Sequence, residues 1–342
     1  MSLRCRRTES ADHLPVANPR RKADRYLRGF TLVLAFGIST LSTVALAGQS
    51  PRPVGEELIN DEAYHCPSAR DARDAITVVD TTLAGVPAIL RIPAHLARPP
   101  VVLWHGFGPP ASEQALMAAL PLDDVPAIKV YLGLPLFGAR APARGADDLA
   151  HRQARDSASL IFKPVVVGAA EELPAVVATL QQRGCMRANE RISLLGFSAG
   201  GASVLLALIQ GKVAISSAIL LNASTGLNAS IQAMERVTKK PYAWTPATRE
   251  LAQATDAVGH AADIARGDPP PAVLLVQGAD DTTLTPQPAT ALYATLRPLY
   301  RQPGKRDRLR FVLVPGMQHS WIDNPAAAGL RRTFAAWLRR YA

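Results

Sequence analysis

Apolar and polar positions along this chain fall into two alternating periods. ITVVDTTLAG (76–85) and VPAILRIP (86–93) read as two strands of a hairpin with Gly85 near its turn. PPVVLWHGFG (99–108) is a continuous apolar run ending in glycines, as expected of a strand buried on both faces of a parallel sheet. AIKVYLGLP (127–135), RISLLGFS (191–198), SSAILLNA (216–223), AVLLVQGADD (272–281) and RLRFVLVPG (308–316) repeat that pattern. Helical spacing fills the intervals. ASEQALMAAL (111–120) has Ser112 at its N-cap, Glu171 to Arg183 carries Pro174 near its first turn, and Ala199 to Gln210 is closed by Gly211. PQPATALYATLRPLY and the terminal PAAAGLRRTFAAWLRRYA complete the series.

A hairpin followed by strand–helix units specifies an α/β domain over 76–342, a mostly parallel sheet with helices on both faces and right-handed crossovers. Residues 224–268 break the rhythm with helix-like pieces around MERVTKK and are expected to form a small helical cap insertion. Residues 136–168 read as irregular, and 48–75 as a polar, turn-rich N-terminal extension.

Charge changes this picture at the front end. Residues 1–47 hold eight basic side chains against three acidic ones, half of the net +10, and 29–47 carry no charge. The basic stretch, the apolar run and Ala45-Leu46-Ala47 read as a signal peptide with a long basic leader, cleaved before Gly48. The alternative is a membrane anchor over 29–47, diluted by Gly37, Ser39, Thr40, Ser42 and Thr43. The expectation is export to the periplasm or medium, with no stable membrane partner unless the signal stays uncleaved. The remaining positive charge reads as spread out, without a basic, aromatic-interleaved stripe, which argues against a nucleic-acid partner. Cys5 belongs to the leader. Cys66 and Cys185 remain, either as two thiols or as the disulfide that an oxidising compartment permits.

Ligands of such sheets bind beyond the carboxyl ends of the strands. His105, Ser198, Asp280-Asp281 and His319 all fall just after strands. Gly196-Phe197-Ser198-Ala199-Gly200 has the form G-x-S-x-G between strand and helix, the nucleophile-elbow pattern that exposes a serine above the sheet. A serine hydroxyl needs a base. His319 is the candidate, because His65, His95, His151 and His260 lie in polar or irregular stretches and His13 in the leader. His105 reads as structural, shaping its glycine loop. The base needs an acid to orient it, and Asp281 is favoured over Asp280, with Asp323 poorer for lying beyond the histidine. The oxyanion hole is expected from the amide of Ala199 and one from the loop after 99–104, Phe107 first, with Gly106 or Gly108 as alternatives.

HGFG (105–108), GFSAGG (196–201), GADDTTLTP (278–286) and GMQH (316–319) together resemble the α/β-hydrolase superfamily, in the style of dienelactone-hydrolase-like and peptidase-like serine esterases, over residues 76–340. The resemblance implies Ser198 as nucleophile, His319 of G-x-x-H as base, Asp281 of G-x-x-D as acid, and Phe107 with Ala199 as oxyanion donors. A serine at the elbow departs from dienelactone hydrolase itself, which has cysteine there, so its substrate does not carry over. The function implied is hydrolysis of an acyl bond in a small ester, with no metal or organic cofactor. A peptidase of the prolyl-oligopeptidase type is the alternative, although residues 48–75 leave no room for its usual β-propeller. A catalytically silent binding protein of the same fold is the second. YLGLPLFGARAP (131–142) is expected at the mouth of the site, where Arg140 reads as a surface arginine or, alternatively, a partner for an anionic group.

Overall fold

The computed structural model describes residues 56–61, 64–66 and 75–342. The expected leader over 1–47, with its A-x-A site, Cys5 and His13, lies outside the described residues. Strands β1 (Glu56–Asn60), β2 (Ile76–Leu83), β3 (Val86–Ile92), β4 (Val101–Trp104), β5 (Lys129–Leu132), β6 (Ile192–Phe197), β7 (Ile215–Leu221), β8 (Ala272–Gly278) and β9 (Leu309–Val314) form one sheet. Its order is β1-β2-β3-β5-β4-β6-β7-β8-β9. β3 runs antiparallel to β2 and β5, and all other pairs are parallel.

β4, β5, β6 and β8 are buried at every residue, because helices cover both faces. Successive side chains of a strand point to opposite faces, and the core divides accordingly. Val102, Val130 and Leu194 pack with α3 (Gly168–Gln182), α4 (Ala199–Gln210) and α8 (Pro286–Leu296) through Leu173, Val204 and Leu292. Their neighbours Leu103, Tyr131 and Leu195 pack with α1 (Glu113–Ala119) and α9 (Ala327–Tyr341) through Leu116, Leu330 and Phe334.

The structure corrects three expectations. The N-terminal extension contains a strand, β1, laid parallel on the outer edge of β2. It was hidden because EELIN lacks the apolar run of a central strand, as an edge position permits. The stretch 136–168 is ordered: α2 (Ala146–Ser157) runs through a kink at Asp156 into a wide-turn helical segment, Ala158–Val167. Pro164 lies inside that segment, and the proline and charges of the region masked the helical spacing. Third, the basic excess is not spread out. Residues 297–342 hold ten basic and two acidic side chains, whereas 48–296 hold 20 and 23. Arg306, Arg310, Arg332 and Arg340 line an open groove of about 760 Å³ beside β9. β9 is one of the sheet's two outer strands, and charge along such an edge opposes pairing with another chain.

The 224–268 insertion forms α5 (Leu227–Thr238), α6 (Pro246–Ala254) and the short α7 (Ala261–Ile264). Leu227, Ile231 and Ala252 share a cluster with Phe162 of the wide-turn segment and with Ala199 and Ala202 of α4. The Tyr242 hydroxyl donates to Asp156 Oδ1 at 2.5 Å, fixing the insertion to the kink. Cys66 and Cys185 are joined as a disulfide spanning 119 residues, which ties the N-terminal segment to the turn after α3.

Candidate active site

Ser198 sits between β6 and α4 with φ 54° and ψ −117°. A positive φ is strained for a residue with a side chain. Here it is held because Ser198 N–H donates to Leu221 O at 3.0 Å and Ser198 O accepts from Gly201 N–H at 3.0 Å. The glycines around it are required by closeness. A methyl group on Gly196 would collide with Gly200 O, and one on Gly200 with the Trp104 and His105 carbonyls. The turn thus presses α4 against the loop after β4. A methyl on Gly106 would stand 2.8 Å from Ser198 Cβ, so that loop passes directly beside the serine.

The structure brings Ser198, His319 and Asp281 together from the ends of β6, β9 and β8. Ser198 Oγ lies 3.0 Å from His319 Nε2. His319 Nδ1 lies 2.8 Å from Asp281 Oδ2. The carboxylate is buried and saturated: Oδ1 accepts from Thr283 N–H at 2.9 Å and Leu284 N–H at 2.8 Å, and Oδ2 also accepts from Gln277 Nε2 at 3.1 Å. A carboxylate so surrounded by donors is fixed as an acceptor for the imidazole. That leaves Nε2 as the lone-pair nitrogen facing the hydroxyl. Asp280 contributes only its amide, which donates to Met317 O at 3.1 Å, and Asp323 is exposed. Phe197 packs its ring 5.3 Å from that of His319, giving the base an apolar side wall.

His105 is fully buried. Its Nδ1 lies 2.7 Å from Gly106 O, and Leu134 N–H donates to its Nε2 at 3.3 Å. One nitrogen therefore donates and the other accepts, which is the neutral ring. Burial lowers its pKa to about 4, against a smaller upward push from the Gly106 carbonyl. His105 thus braces the glycine loop against the chain after β5. Its carbonyl receives Gly200 N–H at 3.1 Å, joining the same loop to the start of α4. The remaining histidines are elsewhere: His65, His95 and His151 are exposed, and His260 pairs with Asp263 at 2.9 Å.

Ala199 follows the serine at the start of α4 and Phe107 follows Gly106, whose loop passes beside the serine; neither amide has an acceptor among the described residues. The Phe107 ring is partly exposed and stacks on Phe137 at 5.0 Å. Arg140 does not await an anionic group. It forms a two-pronged ion pair with Glu172 at 2.8 and 2.6 Å and donates to Gly133 O, bracing the 133–140 loop. Sequence reasoning missed Gln277 and Asn222, both buried at strand ends and bonded to the acid turn. A polar residue ending an otherwise apolar strand was the available signal. Among the described residues, no group of three His, Cys, Asp or Glu side chains is arranged to hold a metal ion.

No curated protein sequence matches the chain. Solved structures do. TT1662 from Thermus thermophilus is 18% identical with a TM-score of 0.57, covering 77% of this chain and 98% of that one. Carboxyl esterase 2 from Tuber melanosporum is 17% identical with a TM-score of 0.53, covering 94% and 98%. A puromycin-hydrolyzing peptidase from Mycobacterium tuberculosis is 18% identical with a TM-score of 0.55, covering 81% of this chain but 40% of that longer one. At these identities the likeness establishes the α/β-hydrolase fold. The model of the prolyl oligopeptidase family matches residues 168–342, the half carrying Ser198, Asp281 and His319. With that match spanning just over half of its length, the chain belongs to the prolyl oligopeptidase family of the α/β-hydrolase superfamily and is a serine hydrolase.

Proposed function

We propose that this chain is an exported hydrolase that cleaves a carboxylic ester through an acyl-enzyme on Ser198. The observation that carries the reading is the unbroken run from Ser198 Oγ to His319 Nε2 at 3.0 Å and from His319 Nδ1 to Asp281 Oδ2 at 2.8 Å. His319 Nε2 takes the hydroxyl proton as Oγ attacks the acyl carbon, and Asp281 holds the imidazolium that forms. The Phe107 and Ala199 amides donate to the developing oxyanion. Backbone donors of this kind each lower the barrier by roughly 3 kcal/mol. The imidazolium returns its proton to the leaving alkoxide. Water, deprotonated by His319, then releases the acid and restores Ser198.

The likeness of the fold to carboxyl esterase 2 from Tuber melanosporum supports the ester reading. A peptide or amide substrate is the second reading, and the prolyl oligopeptidase family match favours it. Two measurements test both. Purified protein is expected to label with a fluorophosphonate and to lose labelling in Ser198→Ala, with kcat falling by on the order of 10⁴-fold or more. An intact protein that never labels would point instead to a binding role. p-Nitrophenyl esters of rising chain length, run against amino-acid p-nitroanilides, separate the substrate classes, and faster turnover of the anilides overturns the ester reading.

A further inference from the structure

We propose that Asn222 is a positioning residue that holds His319 over the nucleophile by tying the acid turn to the base loop. The inference rests on the Ser198–His319–Asp281 reading above. Asn222 follows β7, the strand between the serine-bearing β6 and the acid-bearing β8. Its φ is 43°, a left-handed value that asparagine and glycine tolerate better than other residues. Its side chain is fully buried, so every polar atom needs a partner.

Each has one. Asn222 Oδ1 accepts from Gly278 N–H at 2.8 Å. Nδ2 donates to Gln318 O and to His319 O, both at 3.0 Å. The main-chain N–H donates to Val276 O at 2.9 Å. Gly278 opens the turn that carries Asp281, and Gln318-His319 is the segment that carries the base. One carboxamide therefore reaches both halves of the relay and touches neither the imidazole nor the carboxylate. The two halves already meet closely: a methyl on Gly278 would collide with Met317 O. Among the described residues, Asn222 Nδ2 is the one donor to the Gln318 and His319 carbonyls. Removing it strands two acceptors and frees the base loop to shift. A displacement near 1 Å at a reacting group can lower the rate about 10²-fold.

The test uses two variants that both tolerate the left-handed backbone. Asn222→Gly removes all three side-chain bonds. Asn222→Asp keeps the acceptor facing Gly278 and turns an oxygen against the two carbonyls. Sites are counted by fluorophosphonate titration, and p-nitrophenyl acetate hydrolysis is expressed per labelled site. In both variants kcat is expected to fall roughly 10- to 100-fold, with KM within about threefold of the parent. Should neither accumulate as folded protein, Asn222→Ser, which keeps one hydroxyl donor, is measured in the same way. A purely structural residue would lower the thermal midpoint and leave turnover per site alone. Turnover per site within about twofold of the parent, or a loss confined to KM, overturns the proposal. Failure of the underlying reading looks different: the parent does not label, or Ser198→Ala keeps its activity.

Discussion

The carboxyl and amino ends of the sheet's parallel strands both bury ionisable groups, and they treat them differently. At the carboxyl ends, Asp281 accepts three hydrogen bonds besides that of His319, and His105 has a partner on each ring nitrogen. At the amino ends, Lys129 opens β5 in register with Arg91 of β3, and both are buried. Asp123 receives both prongs of Arg91, at 2.7 and 3.0 Å. Lys129 Nζ donates to Val125 O at 3.2 Å. Lys129 thus lies beside another cation, and an ammonium bonded to a neutral carbonyl replaces little of its lost hydration. Burial lowers the pKa of His105 to about 4 and that of Lys129 to about 8. The direction and cause are the same, but at pH 7 the histidine is already neutral while the lysine is still charged. A desolvated base costs the fold nothing above its unfolded pKa and its full penalty below its folded one.

The contrast breaks most visibly at the carboxylates. Asp281→Asn removes the charge that holds the imidazolium and offers His319 Nδ1 the wrong partner. kcat/KM is expected to fall roughly 10³- to 10⁴-fold. Asp123→Asn, at the opposite end, is expected to leave kcat/KM within about twofold and to lower stability, because Arg91 loses its ion pair. Steady-state ester hydrolysis and urea unfolding on the two variants decide the matter. Similar losses of activity in both would mean that the two ends are not functionally distinct.

His105 sharpens the comparison through pH. Its folded pKa of about 4 lies below its ordinary value of 6.5. The unfolded chain therefore takes up the proton first as the pH falls. The contribution to stability is intact above 6.5 and is lost on acidification toward 4, by roughly 3 kcal/mol. Urea unfolding of the parent and of His105→Asn across pH 4–7 is expected to show the shallower dependence in the variant. Equal slopes would remove His105 from the acid response.

The fold was legible because its signals are local. Runs such as AVLLV (272–276) are apolar at every position since helices cover both faces, and the glycines around Ser198 mark positions that admit no side chain. Ser198, Asp281 and His319 could be named because each follows a strand, and the sheet alone determines that those ends converge. β1 stayed hidden, since an edge strand on β2 can be polar. The pairing of Cys66 with Cys185 was undecidable from a gap of 119 residues, because it depends on where the chain after α3 returns. Asn222 was missed because its partners are main-chain atoms far along the chain, and Gln277 because its bonds to Asp281 Oδ2 and Leu284 O depend on how the acid turn folds back on β8. The concentration of arginine beside β9 was countable in the sequence, but its grouping around one groove required the packing of α9 on the sheet edge.

The smallest expected effect tests the amino-end cluster directly. The pKa of Lys129 falls from 10.5 to about 8 chiefly through burial, with Arg91 adding to the shift and Asp123 opposing it. Its folded value lies below its unfolded one, so between pH 8 and 10.5 the unfolded chain holds more protons and stability rises with pH. Below pH 8 the folded protein carries the whole penalty. Lys129→Met fills a similar volume without a charge and removes that penalty. The variant is expected to be more stable than the parent by roughly 2 kcal/mol at pH 7, consistent with replacing a buried charge by an apolar side chain. The difference should close as the pH approaches 10, while ester hydrolysis stays unchanged. Urea unfolding at pH 7 and pH 10 measures both points. A destabilised variant, or a gap that does not narrow with pH, would show that Asp123 compensates Lys129 as fully as the donors around Asp281 compensate that carboxylate.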